Sequence, residues 1–147
     1  MIEAITVKAA CNGILRKLFP DMKIYGPDTT GALERPSFYT EIVPYMLSYE
    51  TKFLLRQSMG FKISLMEEKT NEEFQLGCLA AIRAGFGQKL EIGGRKITIS
   101  EVNTEYTGSK NDVFQITITM EWYDNNFIED QQTLMEYVEI TEYLNNR

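Results

Sequence analysis

Residues 113–126 read VFQITITMEWYDNN, and their alternation decides the fold. Phe114, Ile116, Ile118, Met120 and Trp122 fall on one side of an extended chain. Gln115, Thr117, Thr119, Glu121 and Tyr123 fall on the other. Successive side chains of a strand point to opposite faces, so this stretch is a strand with one apolar and one polar sheet face. At about 3.3 Å per residue its alternating positions span roughly 35 Å, near the full width of a domain of this size. The apolar face requires a cover. The polar face carries hydroxyls, an amide and a carboxylate, with no nucleophile beside a base.

Two helices supply the cover. In the first, over residues 2–18, Val7, Cys11, Ile14, Leu15 and Leu18 follow helical spacing while Lys8, Asn12, Arg16 and Lys17 face out. Pro20 ends it, because the residue before a proline is pushed out of the helical region. The second is announced by Thr70 and Glu73, which fit an S/T-x-x-E capping box. Phe74, Cys78, Ile82 and Phe86 then recur every fourth residue, and Gly85 and Gly87 supply the stop.

The remaining chain reads as strands. PSFYTEIVP is a strand bracketed by Pro36 and Pro44, after the turn-rich YGPDTTGALERP. From Lys52 to Met66 the chain is extended again, with Gly60 expected to mark a bulge or bend. LEIGGRKITI is a hairpin: Gly93-Gly94 allows the positive φ angles of a two-residue turn, and that register sets Leu90 opposite Ile97 and Glu91 opposite Lys96. A further extended stretch lies around residues 102–106. The order implies an α+β fold, a mostly antiparallel sheet with two α-helices packed on one face, plus a C-terminal arm. Residues 1–126 are expected to form a single α+β domain and residues 127–147 an acidic arm. The arm's FIEDQQTLMEYVEITEYLNNR is ambiguous: Leu134 and Val138 fit a helical turn, Val138 and Ile140 a strand.

Composition narrows the function. The chain has 147 residues, 44% hydrophobic and 24% charged, enough to bury a core without disulfide or metal. No apolar run approaches the roughly 20 residues of a membrane-spanning helix, and no signal peptide is read at the N-terminus. Cys11 and Cys78 are expected to be buried free thiols of a reducing cytoplasm. The net charge is −6. Up to residue 120 acids and bases balance, so the whole excess lies in residues 121–147, where seven acids face Arg147 alone. No basic surface for nucleic acid is built. The acidic end is either a solvated terminus or an arm that docks on a partner.

Catalytic chemistry is hard to find. There is no histidine, which removes Ser-His and Cys-His pairs and the commonest metal ligand. Glu72 and Glu73 stand in the first turn of a helix, where the macrodipole favours negative charge, so capping accounts for them without a metal. Glu67-Glu68 is the other acid pair to which a metal or acid/base role could be assigned. The glycine pairs lack the following helix and Lys-hydroxyl pair of a phosphate loop. Neither catalytic residue, cofactor site nor metal site is expected, and the chain does not read as an enzyme.

The order of pieces carries a resemblance. LFPDMKIYGPD ends the first helix; RPSFYTEIVP and LRQSMGFKISLME are the first strands; the second helix, the GGRKI hairpin, VFQITITMEWYD and the acidic LMEYVEI follow. Together these resemble the small tail terminator proteins of Gram-positive phages, prophages and phage-tail-like bacteriocins, over nearly the whole chain. The resemblance implies a structural assembly protein forming a hexameric ring that caps the tail tube. Its implied partners are further copies of itself, the tail tube protein, a sheath protein in a contractile tail and a head connector where a capsid exists. Its implied location is the host cytoplasm during assembly, then the tail of the particle. Another neck protein of the same particle and a monomeric protein-binding module are the competing readings.

The family carries no residue signature, so interface candidates come from physics. Met46, Leu47, Leu54, Leu55 and Met59 are apolar residues set among charges in a region too long for a simple turn. Phe127, Ile128, Leu134, Met135 and Tyr137 belong to the arm. The polar face of the 113–123 strand is a third candidate. Packing within one chain competes with each.

Overall fold

The computed structural model describes residues 2–29 and 31–125. Its elements are α1 (Ala4–Leu18), β1 (Lys23–Tyr25), β2 (Ser37–Tyr49), β3 (Leu54–Met66), α2 (Glu72–Phe86), β4 (Lys89–Ile92), β5 (Arg95–Thr107) and β6 (Val113–Asn125). The strands make a six-stranded sheet in the order β1-β2-β3-β6-β5-β4, antiparallel except for the β1–β2 pair. The stretch that opened the sequence reading is therefore one of the two central strands.

The apolar side of that strand is buried as its alternation requires: Phe114, Ile116, Ile118, Met120 and Trp122 all lie in the core. Register places Met59 opposite Met120, Phe61 opposite Ile118 and Ile63 opposite Ile116. Across the other edge of β3, Phe38 lies opposite Leu65 and Ile42 opposite Phe61. The helices cover this face with Val7, Cys11 and Leu15 from α1 and Cys78, Ile82 and Phe86 from α2. The Phe61 and Phe86 rings stand 6.3 Å apart between sheet and helix, and Phe19 meets Phe38 edge-on at 5.0 Å. The helices approach each other closely at Gly85, where an added Cβ would lie 2.8 Å from Leu18 Cδ2.

Several local expectations change. α2 is capped by Asn71, whose side chain accepts from the Phe74 N–H at 3.3 Å; Thr70 is not the cap. Glu72 and Glu73 occupy the first turn, as the macrodipole argument requires. Gly85 lies within the helix, and Gly87, at φ +65°, forms its C-cap. β2 does not stop at Pro44 but continues five residues further. Proline is tolerated there because β2 has a free outer edge among the described residues, and the register shifts between Pro44 and Met46. Gly60 does not bend β3, which pairs with β6 continuously through it. Its lack of a side chain makes room for Tyr45: a Cβ on Gly60 would lie 2.6 Å from Tyr45 Cζ. The stretch at residues 102–106 joins the GG hairpin's second strand as one long β5, bent by a register shift between Ile99 and Glu101. β1, which ends at Tyr25 where the segment read as turns begins, is an additional three-residue strand parallel to Ser37–Tyr39.

Candidate functional site

The β2–β3 hairpin divides along its length. Near Ser37 and Met66 it is flanked by β1 and covered by α1, and Phe38 is fully buried. Toward its tip, β2 leaves both of these behind and, among the described residues, keeps only its pairing with β3. β1 pairs only with Ser37–Tyr39, so among the described residues no strand pairs with the outer edge of residues 40–49. Five of the nine large apolar side chains exposed among the described residues are clustered here: Tyr45, Met46, Leu47, Tyr49 and Phe53. Their exposure runs from 39% at Met46 to 68% at Tyr49. Scattered surface apolar residues are ordinary; here five gather at one hairpin end, beside a backbone edge that no described strand pairs.

The candidates on the hairpin separate accordingly. Met46 and Leu47 are exposed in β2; Leu54 is half-buried; Leu55 and Met59 are buried in β3 among the chain's own residues. Tyr45, Tyr49 and Phe53 belong to the exposed group and were missed. The signal for them was the apolar run continuing past Pro44, which a strand ending at that proline hides. Phe127, Ile128, Leu134, Met135 and Tyr137 lie outside the described residues.

At the same end of the sheet, β6 finishes at a polar knot. Asp124 continues the buried side of the β6 alternation, one step beyond Trp122. Its Oδ2 accepts from Trp122 Nε1 at 2.8 Å, Gln57 Nε2 at 2.9 Å and the Ile2 N–H at 3.2 Å. Its Oδ1 takes a close ion pair from Arg95, whose other guanidinium nitrogen donates to the Tyr123 carbonyl. Burial alone raises a carboxyl pKa, but the donors from Arg95, Trp122, Ile2 and Gln57 outweigh it and hold Asp124 below the usual carboxylate range. This knot ties α1's leading residues, β3, β5 and β6 together where residues 126–147 depart. It is structural: every donor is a fixed part of the fold.

The open face of the sheet is the third candidate. Tyr45, Lys62, Glu101, Asn103, Thr117 and Thr119 are among the residues lining a polar trough of about 500 Å³ on it. Ser64 accepts from Gln115 Nε2 at 3.1 Å within this face, and both residues are buried. The trough brings together one lysine and two glutamates with hydroxyls and amides, a surface suited to polar contact. Cys11 and Cys78 are free and buried. Burial pushes their thiols up to about 12 and about 11, Cys78 with help from the Glu67 charge, so neither is an activated nucleophile near neutral pH. Among the described residues no group of three metal-ligating side chains comes together, and no helix is long and apolar enough to cross a membrane.

Comparison with known proteins places this architecture. A chain from the virion of a native gene transfer agent particle superposes with a TM-score of 0.54 at 12% identity, covering 82% of this chain and 95% of that one. A second solved chain gives a TM-score of 0.50 at 13% identity, covering 88% of this chain and all of that one. At such identities the likeness is one of fold. No curated protein matches the sequence. The family model described as phage tail terminator protein matches residues 6–133, from α1 through β6 and beyond. The chain therefore belongs to the phage tail terminator family, and its role is a structural one associated with a tail.

Proposed function

We propose that copies of this chain close into a ring, six to a turn, that seats on the end of a tail tube and stops its polymerisation. A domain of residues 1–126 forms the body of each subunit, and residues 127–147 form an arm. The observation that carries this reading is the hairpin end of β2, where Tyr45, Met46, Leu47, Tyr49 and Phe53 are exposed beside a strand edge that no described strand pairs. A ring is built from heterologous contacts, so each subunit needs two different complementary surfaces. The β2 edge supplies one, and the arm that leaves β6 supplies the other.

In this role the protein acts by shape and contact, not by turnover. The body is charge-neutral up to residue 120, so long-range repulsion does not oppose packing body against body. The tail tube protein is the principal partner, joined by a sheath protein in a contractile particle and a head connector in a particle with a capsid. Assembly takes place in the host cytoplasm before the subunit becomes part of the tail.

Sedimentation velocity of the purified chain, alone and with preformed tail tube, tests the reading. A hexamer, or a hexamer appearing on addition of tube, is expected. A monomer under both conditions contradicts it and favours a monomeric binding module. A ring that binds the connector but not the tube points to another neck protein of the same particle.

A further inference from the structure

We propose that the arm of one copy, through residues 134–144, adds as a strand to the free outer edge of β2, residues 40–49, in the next copy. This rests on the ring reading above and assigns the two surfaces that meet. The acceptor is open backbone: β1 covers β2 only at Ser37–Tyr39, and beyond it the edge lies bare of any described strand for ten residues. Unpaired strand edges are templates for an added strand, and main-chain hydrogen bonds then supply affinity while flanking side chains supply specificity. Here the flanking side chains are Tyr45, Met46, Leu47 and Tyr49, all exposed.

The donor matches in composition and reach. Residues 133–144 read TLMEYVEITEYL, rich in β-branched and aromatic residues, and residues 127–147 contain neither proline nor glycine. Glu136, Glu139 and Glu142 recur every third residue, so two arms brought side by side repel each other and are discouraged from pairing together. Asn125, the last described residue, pairs with Leu54, and Tyr49 pairs with Leu55, so β6 ends at the same end of the sheet as the tip of the bare edge. The 22 residues beyond Asn125 reach roughly 70 Å when extended, of which a ten-residue ladder uses about 33 Å. The remainder bridges to a neighbouring subunit. Donating and receiving at different surfaces gives the head-to-tail exchange that closes a ring, whereas an arm folded onto its own edge would consume both surfaces without joining copies.

The test uses two full-length single-cysteine additions, Leu47→Cys and Val138→Cys, mixed in equal amounts and treated with a short bis-maleimide. Cys11 and Cys78 are buried with raised thiol pKa values, so wild type under the same treatment gives the background. A Leu47→Cys/Val138→Cys double variant is treated in parallel, and sedimentation velocity records whether each sample forms rings. The expected result is a covalent dimer in the mixture, absent from either variant alone, and a ladder up to six copies for the double variant. A link formed only within single chains of the double variant overturns the exchange, because the arm then lies on its own edge. Rings that form without any 47–138 link also overturn it while leaving the ring itself standing. Failure of every sample, wild type included, to form rings with or without tube removes the ring reading and the exchange together.

Discussion

β2 and β3 are thirteen-residue strands of one hairpin, similar in apolar content, yet they do opposite things. β3 lies between β2 and β6 and is buried along nearly its whole length, on both faces at Ser58, Gly60 and Ser64 as well as at Phe61 and Ile63. β2 is buried at Phe38 and open from Pro44 to Leu47. The difference is position in the sheet, not composition: among the described residues one strand has a neighbour on each side, the other only where β1 reaches. Apolar residues in β3 therefore stabilise the subunit, while those at the end of β2 stay exposed, where the proposed contact between copies would bury them. Substitutions in the two strands should separate folding from assembly.

The largest effect on folding is expected from β3 and its partner. Phe61→Ala removes a fully buried ring that packs on Phe86 and faces Ile118, and should destabilise the subunit by about 3–5 kcal/mol. Thermal melting should report a fall of roughly 10 °C or more. A fall of only a degree or two would mean that this part of the sheet is not the core.

Next in size is the knot at the end of β6. Asp124→Ala leaves Trp122, Gln57 and Ile2 donors and the Arg95 charge without their acceptor, at a cost of about 3 kcal/mol. The pH dependence follows from the lowered carboxyl. Its contribution is fully present above the unfolded value of about 4 and is lost as pH falls through the lower folded value. Wild type should lose stability over that acid range more steeply than Asp124→Ala in parallel urea titrations; identical acid limbs would assign the loss to other carboxylates.

The smallest effect on folding, paired with a large one on assembly, is expected at the tip of β2. Leu47→Ser and Tyr49→Ser alter exposed side chains and should shift subunit stability by no more than about 0.5 kcal/mol, read by chemical denaturation. Removal of residues 127–147 should likewise leave the body folded by circular dichroism while weakening assembly. Collapse of the body on truncation would make the arm part of the core.

What the sequence disclosed depended on distance along the chain. The β6 alternation, the α2 spacing and the Gly93-Gly94 hairpin with its Leu90–Ile97 and Glu91–Lys96 pairs are local patterns, and each is found as read. β1 is three residues long and gains its strand character from Ser37–Tyr39, a pairing that its own residues do not announce. The continuation of β2 through Pro44 depends on the strand lying near an edge, which is a property of the sheet. Thr70 was read as the cap of α2, but the helix begins one residue later and Asn71 caps it. For the candidate site, Met46 and Leu47 were legible as apolar residues out of place, but Leu55 and Met59 looked the same and are interior. Exposure separates them, and exposure follows from strand order. Asp124 appeared as one acid among seven, because its meaning lies in Arg95, 29 residues away.

The central claim is that the hairpin end of β2 is a surface for another copy. It is tested most directly by sedimentation velocity of wild type beside a Met46→Ser/Leu47→Ser double variant, at matched concentration and with thermal melting of both. The account predicts a ring-sized species for wild type and a monomer for the variant, with melting temperatures within a few degrees of each other. A variant that assembles as fully as wild type would contradict it.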